Sequence, residues 1–239
     1  MTTERPAEIS GFVLAGGRSR RLGQDKALLP WKGEGNSRTL LEHAIARLRR
    51  VCDTVSICAD RNDLHPAETV ISDALPGSGP LGGIVAALEQ TTTEWNIFLA
   101  VDLPFLPVKV FEALVAQVAK KKIAVAHPSS LEQIACILPQ VAGMEQPLCG
   151  LYHRGLAPGL RQALEQGIFK ITAALQEAVH TPMPRPEQQR GSQVFRIELW
   201  DAAGFAAAMK PSTLLDPSEW FLNINTSEDW QRARQRQFE

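Results

Sequence analysis

A glycine pair followed by a cluster of cations stands near the start of the chain. Gly16 and Gly17 end the apolar segment that begins at residue 9. Adjacent glycines let backbone N–H groups approach a ligand closely, because no Cβ stands in the way. Four cations follow within ten residues of Gly16: Arg18, Arg20, Arg21 and Lys26. Backbone donors beside clustered positive charge suit a polyphosphate; the alternative is a basic surface turn that binds nothing.

Two aspartates stand where apolar segments stop. Asp102 follows residues 95–101 and precedes Pro104 by two positions, and Asp73 follows residues 69–71. Ligands of open α/β sheets bind beyond the carboxyl ends of the strands. A carboxylate there can hold Mg²⁺, with phosphate oxygens filling the other coordination positions. A cap or turn role is the alternative for each aspartate.

Asn223 and Asn225 form a third candidate group, because they alternate with apolar residues ahead of Thr226. They are read either as an amide pair that reaches the same pocket or as turn and cap residues. The five histidines are scattered, at positions 43, 65, 127, 153 and 180. Neither G-x-S-x-G nor a recognisable triad order is present, so histidine-based nucleophilic catalysis is disfavoured. The P-loop pattern is absent, and no G-x-G-x-x-G follows the first apolar segment.

These residues lie between strands and helices that alternate. Strands are predicted over 9–15, 54–59, 69–71, 95–101, 123–126 and 147–152. Helices are predicted over 39–48, 83–90, 111–121, 156–166 and 226–238. The alternation predicts the α/β class, as a three-layer α/β/α fold with a mainly parallel sheet. Residues 27–38 are expected to be irregular and residues 179–193 to form a mobile surface loop, so we expect one domain over 1–239.

Composition excludes several classes of protein. The chain has 239 residues and a formal net charge of −1, which gives no broad basic face for nucleic acid. No apolar run approaches the ~18 residues of a membrane span. Residues 1–10 lack the apolar stretch of a signal peptide, so a cytoplasmic protein is expected. The four cysteines form no C-x-x-C pair and are read as small buried hydrophobes.

Five segments, taken in order, carry a family resemblance. They are the loop from Leu14-Ala15-Gly16-Gly17 to Asp25-Lys26, Gly79-Pro80-Leu81-Gly82-Gly83, Asp102-Leu103-Pro104, Pro147 to Tyr152, and Leu222-Asn223-Ile224-Asn225-Thr226. Together they resemble the molybdenum cofactor guanylyltransferases of the MobA type. These are nucleotidyltransferases with a Rossmann-like, glycosyltransferase-A-like fold, and the matches span about residues 11 to 230.

The resemblance implies transfer of GMP from GTP to molybdopterin or Mo-molybdopterin, with release of pyrophosphate. It implies Mg²⁺ as the cofactor, a GTP- and Mg²⁺-binding N-terminal half and an acceptor-binding C-terminal half. Its doubled glycine accompanies the use of guanine nucleotides. Cofactor-delivery proteins or molybdoenzyme chaperones are further candidate partners, whereas nucleic acid and membranes are not.

The resemblance also assigns roles to individual residues. The catalytic group comprises Lys26, Arg21 and Asp102, and Asp102 is also the metal ligand. The expected nucleotide-binding or acceptor-binding residues are Leu14, Ala15, Gly16, Gly17, Lys26, Asp73, Gly79, Pro80, Leu81, Gly82, Asp102, Asn223 and Asn225. Two departures stand out. The second strand ends in Cys58-Ala59-Asp60, where the pattern has an asparagine, and residues 127–146 and 179–193 match no part of it.

Three alternatives remain open at this stage. One is a related nucleotidyltransferase that uses CTP or a sugar 1-phosphate acceptor. Another is a nucleotide-binding module without catalysis, which the number of cations and carboxylates disfavours. The third is an oxidoreductase on a dinucleotide-binding fold, which the absence of G-x-G-x-x-G after the first strand and the basic first loop disfavour.

Overall fold

The fold is built on one eight-stranded sheet whose first half is parallel. A computed structural model describes residues 8–16, 22–32, 38–61, 63–124, 132–181, 194–208 and 216–236. The strands are β1 (Ile9–Leu14), β2 (Thr54–Cys58), β3 (Thr69–Ile71), β4 (Trp95–Ala100), β5 (Glu132–Val141), β6 (Met144–Glu145), β7 (Cys149–His153) and β8 (Val194–Asp201). Their order is β3-β2-β1-β4-β7-β5-β6, with β8 paired to β5.

Eight α-helices accompany the sheet in the described parts of the chain. They are α1 (Leu40–Leu48), α2 (Pro80–Gln90), α3 (Val108–Ala124), α4 (Ala157–Glu165), α5 (Ile171–His180), α6 (Ala202–Ala208), α7 (Pro217–Trp220) and α8 (Ser227–Arg236). Short 3-10 helices occupy Lys26–Leu28 and Arg154–Leu156. No helix among the described residues is long and apolar enough to cross a membrane.

Side chains of β1 point alternately into two separate apolar clusters. Ile9 and Val13 pack with α1 and α3, whereas Phe12 and Leu14 pack with α2, α4 and α5. Because successive side chains of a strand point to opposite faces, the helices lie on both faces of the sheet. All six residues of β1 and of β4 are buried, as expected of strands covered on both sides. The three-layer α/β/α prediction is confirmed.

The strand predicted at 123–126 is wrong. Ile123 and Ala124 are the last residues of α3, because the helix continues through the lysines at 120–122. Lysine is a good helix former, so the lysines continue the helix into the short apolar run, whose composition alone also suits a strand. Residues 125 and 126 lie outside the described residues.

Other predictions needed smaller corrections. Helix α2 begins at Pro80 rather than at Gly83, because the fixed φ of proline suits the first turn of a helix. The predicted irregular segment 27–38 contains part of a 3-10 helix and a bridge between Pro30 and Thr39. Of the predicted loop 179–193, the first two residues end α5 and residues 182–193 lie outside the described residues.

His43 is a buried histidine of α1 that stays neutral. Its Nε2 lies 3.0 Å from the carbonyl oxygen of Pro104, and its ring centroid lies 5.9 Å from that of Trp31. Burial, reinforced by the charge of Arg47, lowers the pKa of His43 to about 3. The neutral imidazole therefore donates its Nε2 proton to the Pro104 carbonyl.

We predict that His43 makes the fold sensitive to acid. Its pKa is near 6.5 when unfolded and about 3 when folded, so the unfolded chain gains a proton first as the pH falls. This histidine should cost about 2 kcal/mol of unfolding free energy between pH 7 and pH 5. In urea denaturation, the His43→Asn variant should lose correspondingly less stability than the parent over that interval. Parallel pH profiles for the two proteins would contradict this.

Candidate active site

Lys26, Asp102 and Asn225 meet at one point although they are far apart in the sequence. The Lys26 Nζ donates to Asp102 Oδ2 at 2.9 Å and to Asn225 Oδ1 at 2.6 Å. The Lys26 and Asp102 side chains are only 17% and 16% exposed. Partial burial weakens the screening of their attraction. The ammonium group therefore joins three separate segments of the chain.

The position of Lys26 depends on the residue before it. Asp25 caps the 3-10 helix that Lys26 begins, and its Oδ1 accepts from the backbone N–H of Ala27 at 3.0 Å. The other carboxylate oxygen pairs with Arg61. Asp25 is thus held by a cap on one side and a cation on the other, which fixes the start of the short helix and the side chain of Lys26.

Asp102 lies just beyond the carboxyl end of β4, next to the end of β1. The Val101 N–H donates to the Leu14 carbonyl at 3.1 Å and joins the two strand ends. The Asp102 carbonyl accepts from the Ile224 N–H at 3.1 Å. This bond attaches the segment before α8 to the sheet edge. The aspartate consequently lies where ligands of open α/β sheets bind.

A capping box orients Asn225. Asp229 Oδ2 accepts from the backbone N–H groups of Asn225 and Thr226, at 3.0 and 2.9 Å. In return, the Asp229 N–H donates to Thr226 Oγ1 at 3.1 Å. Reciprocal bonds of this kind satisfy the free donors at the start of a helix. They hold the amide of Asn225 over Lys26.

A cavity of about 160 Å³ opens beside these residues. It is lined by Leu14, Ala15, Gly16, Asp25, Lys26, Cys58, Asp73, Gly79, Pro80, Gly83, Ala100, Val101, Asp102 and Leu148. Whole small-molecule sites usually measure roughly 300–1,000 Å³. The enclosed space therefore suits one part of a nucleotide, and the remainder would extend along the open side.

The second glycine-rich loop leads directly into α2 at the wall of the cavity. Gly79 has a φ of 64° and precedes Pro80, the first residue of the helix, and no side chain caps this end. Pro80 has no N–H and the Gly82 N–H donates to the Gly79 carbonyl at 3.1 Å, so it is chiefly the helix dipole that favours an anion at this terminus. A Cβ at Gly83 would lie 3.0 Å from the Cβ of Cys58 and 3.3 Å from Asp73 Oδ1. Glycine at this position thus lets the helix approach β2 closely.

Asp73 is a second carboxylate of the cavity lining and lies just after β3 in the chain. Its backbone N–H donates to Asp60 Oδ1 at 3.0 Å. Burial, together with the negative charge of Asp60, raises the pKa of Asp73 to about 6. Cys58 lies nearby, and burial raises the pKa of its thiol so far that it stays protonated.

Asp102 has an oxygen that could serve as a ligand of a divalent cation. Asp102 Oδ1 is buried and has no hydrogen-bond partner among the described residues. Mg²⁺ commonly takes one or two protein carboxylates plus substrate phosphates. Within the described ranges, no group of three or more His, Cys, Asp or Glu side chains is arranged to hold a metal. The donor set among the described residues therefore fits an ion that takes most of its ligands from elsewhere, rather than a complete protein cage.

Most of the expected site residues are gathered at the cavity. Eight of them line it: Leu14, Ala15, Gly16, Lys26, Asp73, Gly79, Pro80 and Asp102. Asn225 joins them through Lys26. The side chain of Leu81 is completely buried in the core, and Asn223 is exposed outside the cavity lining. Gly82 packs behind Asp73, since a Cβ there would lie 3.2 Å from the Asp73 Cβ.

Some residues of the cavity are not predicted from the sequence, and some predicted residues lie outside the described ranges. Gly17, Arg18, Arg20 and Arg21 lie outside the described residues. The cavity also takes in residues that the sequence analysis did not assign: Asp25, Cys58, Gly83, Ala100, Val101 and Leu148. Asp25 and Val101 directly adjoin predicted residues, and Leu148 belongs to a segment that carried the family resemblance. Their closeness in the sequence to a predicted residue or motif is the signal that could have identified them as site residues.

Residues 11–179 match the MobA-like NTP transferase domain. The chain belongs to this family. Members of the family with similar sequences include the molybdenum cofactor guanylyltransferase of Nitrobacter hamburgensis, which is 34% identical over 96% of this chain and 94% of its own length. The probable molybdenum cofactor guanylyltransferase of Chloroflexus aggregans is 35% identical over 92% and 91% of the two chains. The resemblance noted in the sequence is confirmed.

Solved structures agree on the fold. The molybdopterin-guanine dinucleotide biosynthesis protein A of Archaeoglobus fulgidus superposes with a TM-score of 0.67 at 21% identity, covering 95% of this chain and 97% of its own. A CMP:2-keto-3-deoxy-manno-octonic acid synthetase complexed with CTP superposes with a TM-score of 0.58 at 13% identity, covering 96% and 98%. The Rossmann-like fold of these nucleotidyltransferases is thus shared over 95% or more of the chain.

We predict that Lys26 and Asp102 are energetically coupled in the ligand-free protein. Lys26→Met should lower the unfolding free energy by about 1–3 kcal/mol, because it leaves a part-buried carboxylate without its ammonium partner. In the Lys26→Met/Asp102→Asn double variant, the loss should be smaller than the sum of the single losses. Urea denaturation measures all three. Lys109→Met, at an exposed position of α3, is the matched control, and strictly additive losses would contradict the coupling.

Proposed function

We propose that this chain transfers GMP from GTP to molybdopterin, with or without bound molybdenum, and releases pyrophosphate. The observation that carries the proposal is the contact of Lys26 with Asp102 and Asn225 beside the cavity between the two glycine-rich loops. Relatives of nearly the same length are named molybdenum cofactor guanylyltransferases. A cation and a carboxylate at the end of parallel strands suit a metal-bound triphosphate.

The nucleoside part of the donor belongs in the cavity. Leu14, Ala15 and Gly16 form the wall at the end of β1, where backbone groups and small side chains allow close approach. Asp73 supplies a carboxylate, which accepts hydrogen bonds from nucleoside O–H or N–H groups. The start of α2 at Gly79 and Pro80 offers the positive end of a helix dipole to the phosphates.

The metal site follows from the free oxygen of Asp102. We assign Asp102 Oδ1 as the protein ligand of Mg²⁺ and the amide oxygen of Asn225 as a neighbouring donor. Bound Mg²⁺ would supply charge neutralisation and orientation of the phosphate oxygens. Lys26 Nζ already lies within hydrogen-bond distance of Asp102 and Asn225. Its ammonium group would therefore be close to the same phosphates and could bind them. We propose that Arg21, like Lys26, stabilises the negative charge that builds up on the leaving pyrophosphate.

The chemical step needs little covalent help from the protein. A phosphate oxygen of the acceptor forms a bond to the α-phosphorus of GTP. The bond from that phosphorus to the bridging oxygen breaks, and pyrophosphate leaves with the electron pair. Positioning and charge neutralisation supply most of the rate in such transfers. A phosphate monoester has its second pKa near 6, so the attacking group is anionic near pH 7 and no general base is required.

The acceptor belongs to the other half of the sheet. Leu148 brings the segment before β7 to the cavity, and Asn225 lies at its rim through Lys26. We assign the acceptor to the face formed by these segments. Proteins that deliver molybdopterin or receive the finished dinucleotide remain a prediction of the family resemblance.

We predict that the purified protein releases pyrophosphate from GTP when Mg²⁺ and molybdopterin are both present. CTP in a parallel reaction separates this activity from that of a cytidylyltransferase. Release from CTP alone would contradict the choice of donor. Absence of release from either nucleotide, with active acceptor verified in a reaction of the Nitrobacter hamburgensis relative, would contradict the proposed function.

The Asp102→Asn variant tests the metal assignment in the same assay. Turnover should fall about 10²-fold or more, as for the loss of one electrostatic contact at a transition state. Glu112→Gln, at an exposed position of α3, should keep the parent rate. An Asp102→Asn enzyme that matches the parent at limiting Mg²⁺ would remove Asp102 from the metal site.

Binding of GTP should weaken below about pH 6. Asp73 has its pKa raised to about 6, so it is an ionised acceptor above this pH and is protonated below it. GTP affinity should then fall by up to tenfold per pH unit. Calorimetry from pH 5 to pH 8 measures this, and Asp73→Asn serves as the reference that retains the titration of the triphosphate itself. Asp60→Asn should move the loss to lower pH, because it removes the neighbouring negative charge. Identical profiles for parent and Asp73→Asn would exclude Asp73 from GTP binding.

A further inference from the structure

Arg47 is a buried arginine of α1 whose guanidinium holds the chain that follows Asp102. It is only 2% exposed. Its NH1 group donates to the carbonyl oxygens of Pro104 and Leu106, at 3.1 and 2.6 Å, and its NH2 group donates to that of Leu103 at 2.8 Å. Three carbonyls of one short segment, residues 103–106, therefore share a single planar cation.

The backbone hydrogen bonds of a strand or a helix do not hold the segment 103–106. It lies between β4 and α3, outside both, and Pro104 has no N–H to donate. The guanidinium supplies donors in a fixed planar fork, which suits carbonyls that diverge around a turn. An apolar side chain at this place in α1 would avoid the cost of burying a charge, but it would leave the three carbonyls without these donors.

Two further side chains contact the same segment, His43 of α1 and Trp31. The neutral His43 donates to the Pro104 carbonyl. The Phe105 ring packs edge-on against Trp31, with centroids 5.6 Å apart, and Trp31 also lies 6.0 Å from Trp230. Trp31 and Trp230 each follow a member of the Lys26–Asn225 pair by five residues. Phe105 thus connects the segment 103–106, through Trp31, to Trp230.

We propose that Arg47 is a positioning residue for Asp102, and this rests on the proposed function. By fixing the segment 103–106, Arg47 sets the direction of the preceding carboxylate, so that Oδ2 meets Lys26 and Oδ1 stays available to a phosphate-bound cation. Arg47 contacts neither substrate nor metal. Its effect should appear in the affinity for the cation and in kcat, and much less in the KM for GTP.

The experiment measures Mn²⁺ binding to the full chain, by electron paramagnetic resonance, in the presence of a GTP analogue with a non-transferable α,β-methylene bridge. We expect Arg47→Gln to raise the Kd for Mn²⁺ about 10- to 100-fold, the range seen when groups that orient a metal ligand are removed. Arg47→Lys, which keeps the charge without the fork, should lie between. Arg50→Gln, at an exposed position after α1, should leave the Kd unchanged.

A second measurement separates positioning from stability. In Arg47→Ala, millimolar guanidinium should restore part of the Mn²⁺ affinity, whereas equal concentrations of sodium chloride should not. If Arg47→Gln does not fold, Arg47→Lys with the same titration takes its place. A folded variant that is less stable but binds Mn²⁺ as tightly as the parent would overturn the proposal, because a purely structural arginine gives that result.

The failure of the proposed function would look different. A parent protein that binds neither the GTP analogue nor Mn²⁺ in its presence would refute the nucleotide site itself, whatever the Arg47 variants do. A parent that binds both, with an unchanged Kd in every Arg47 variant, would refute only the positioning role.

Discussion

The contact between the Lys26 ammonium and the Asp102 carboxylate is the constraint on which the site depends. Both groups are mostly shielded from water, so each stabilises the charge of the other and neither is easily left alone. The pair requires the end of β4, the 3-10 helix after the first glycine loop and the segment before α8 to converge. Much of the local structure serves this convergence: the Asp25 cap, the bond between Ile224 and Asp102, and the Asp229 capping box. The side chains of Asp102 and Asn225 thus both lie within hydrogen-bond distance of Lys26 Nζ at one point.

The parts of the fold that follow a periodic pattern could be predicted from the sequence. The buried parallel strands read as apolar runs, and the helix predicted over 39–48 is confirmed as α1, where Thr39 forms a complete capping box. The carboxyl ends of these strands then located Asp73 and Asp102. Strands β5 and β8 were not predicted. β5 lacks a regular alternation and carries a register irregularity near residue 135, whereas residues 195–199 of β8 alternate between apolar and polar, a strand pattern that the prediction overlooks. The role of Arg47 could not be predicted either, because a buried arginine reads as a surface residue until its carbonyl partners are known.

The departure from the family pattern at the end of β2 has a physical outcome. Where the pattern has an asparagine, this chain ends in Cys58-Ala59-Asp60. Cys58 forms part of the cavity wall as a small neutral group. Asp60 instead accepts a hydrogen bond from the Asp73 backbone and places a negative charge beside that carboxylate. Asp60 therefore holds the loop after β3 through the Asp73 backbone, and its charge also raises the pKa of the Asp73 carboxyl.

The sheet changes direction next to the site. Strands β1 to β4 run parallel, but β7 pairs with β4 in the opposite sense, and the Leu148 carbonyl before β7 accepts from the Ala100 N–H at 2.8 Å. One edge of the sheet therefore presents strand ends from the first half of the chain and a strand beginning from the second. In the proposed reaction, the nucleotide and its acceptor would therefore meet at one point from two surfaces, formed by different parts of the chain. We expect β5, β6, β7 and β8 to differ among proteins that take other acceptors, whereas β1 to β4 with Asp102 and Asn225 would keep the proposed nucleotide site.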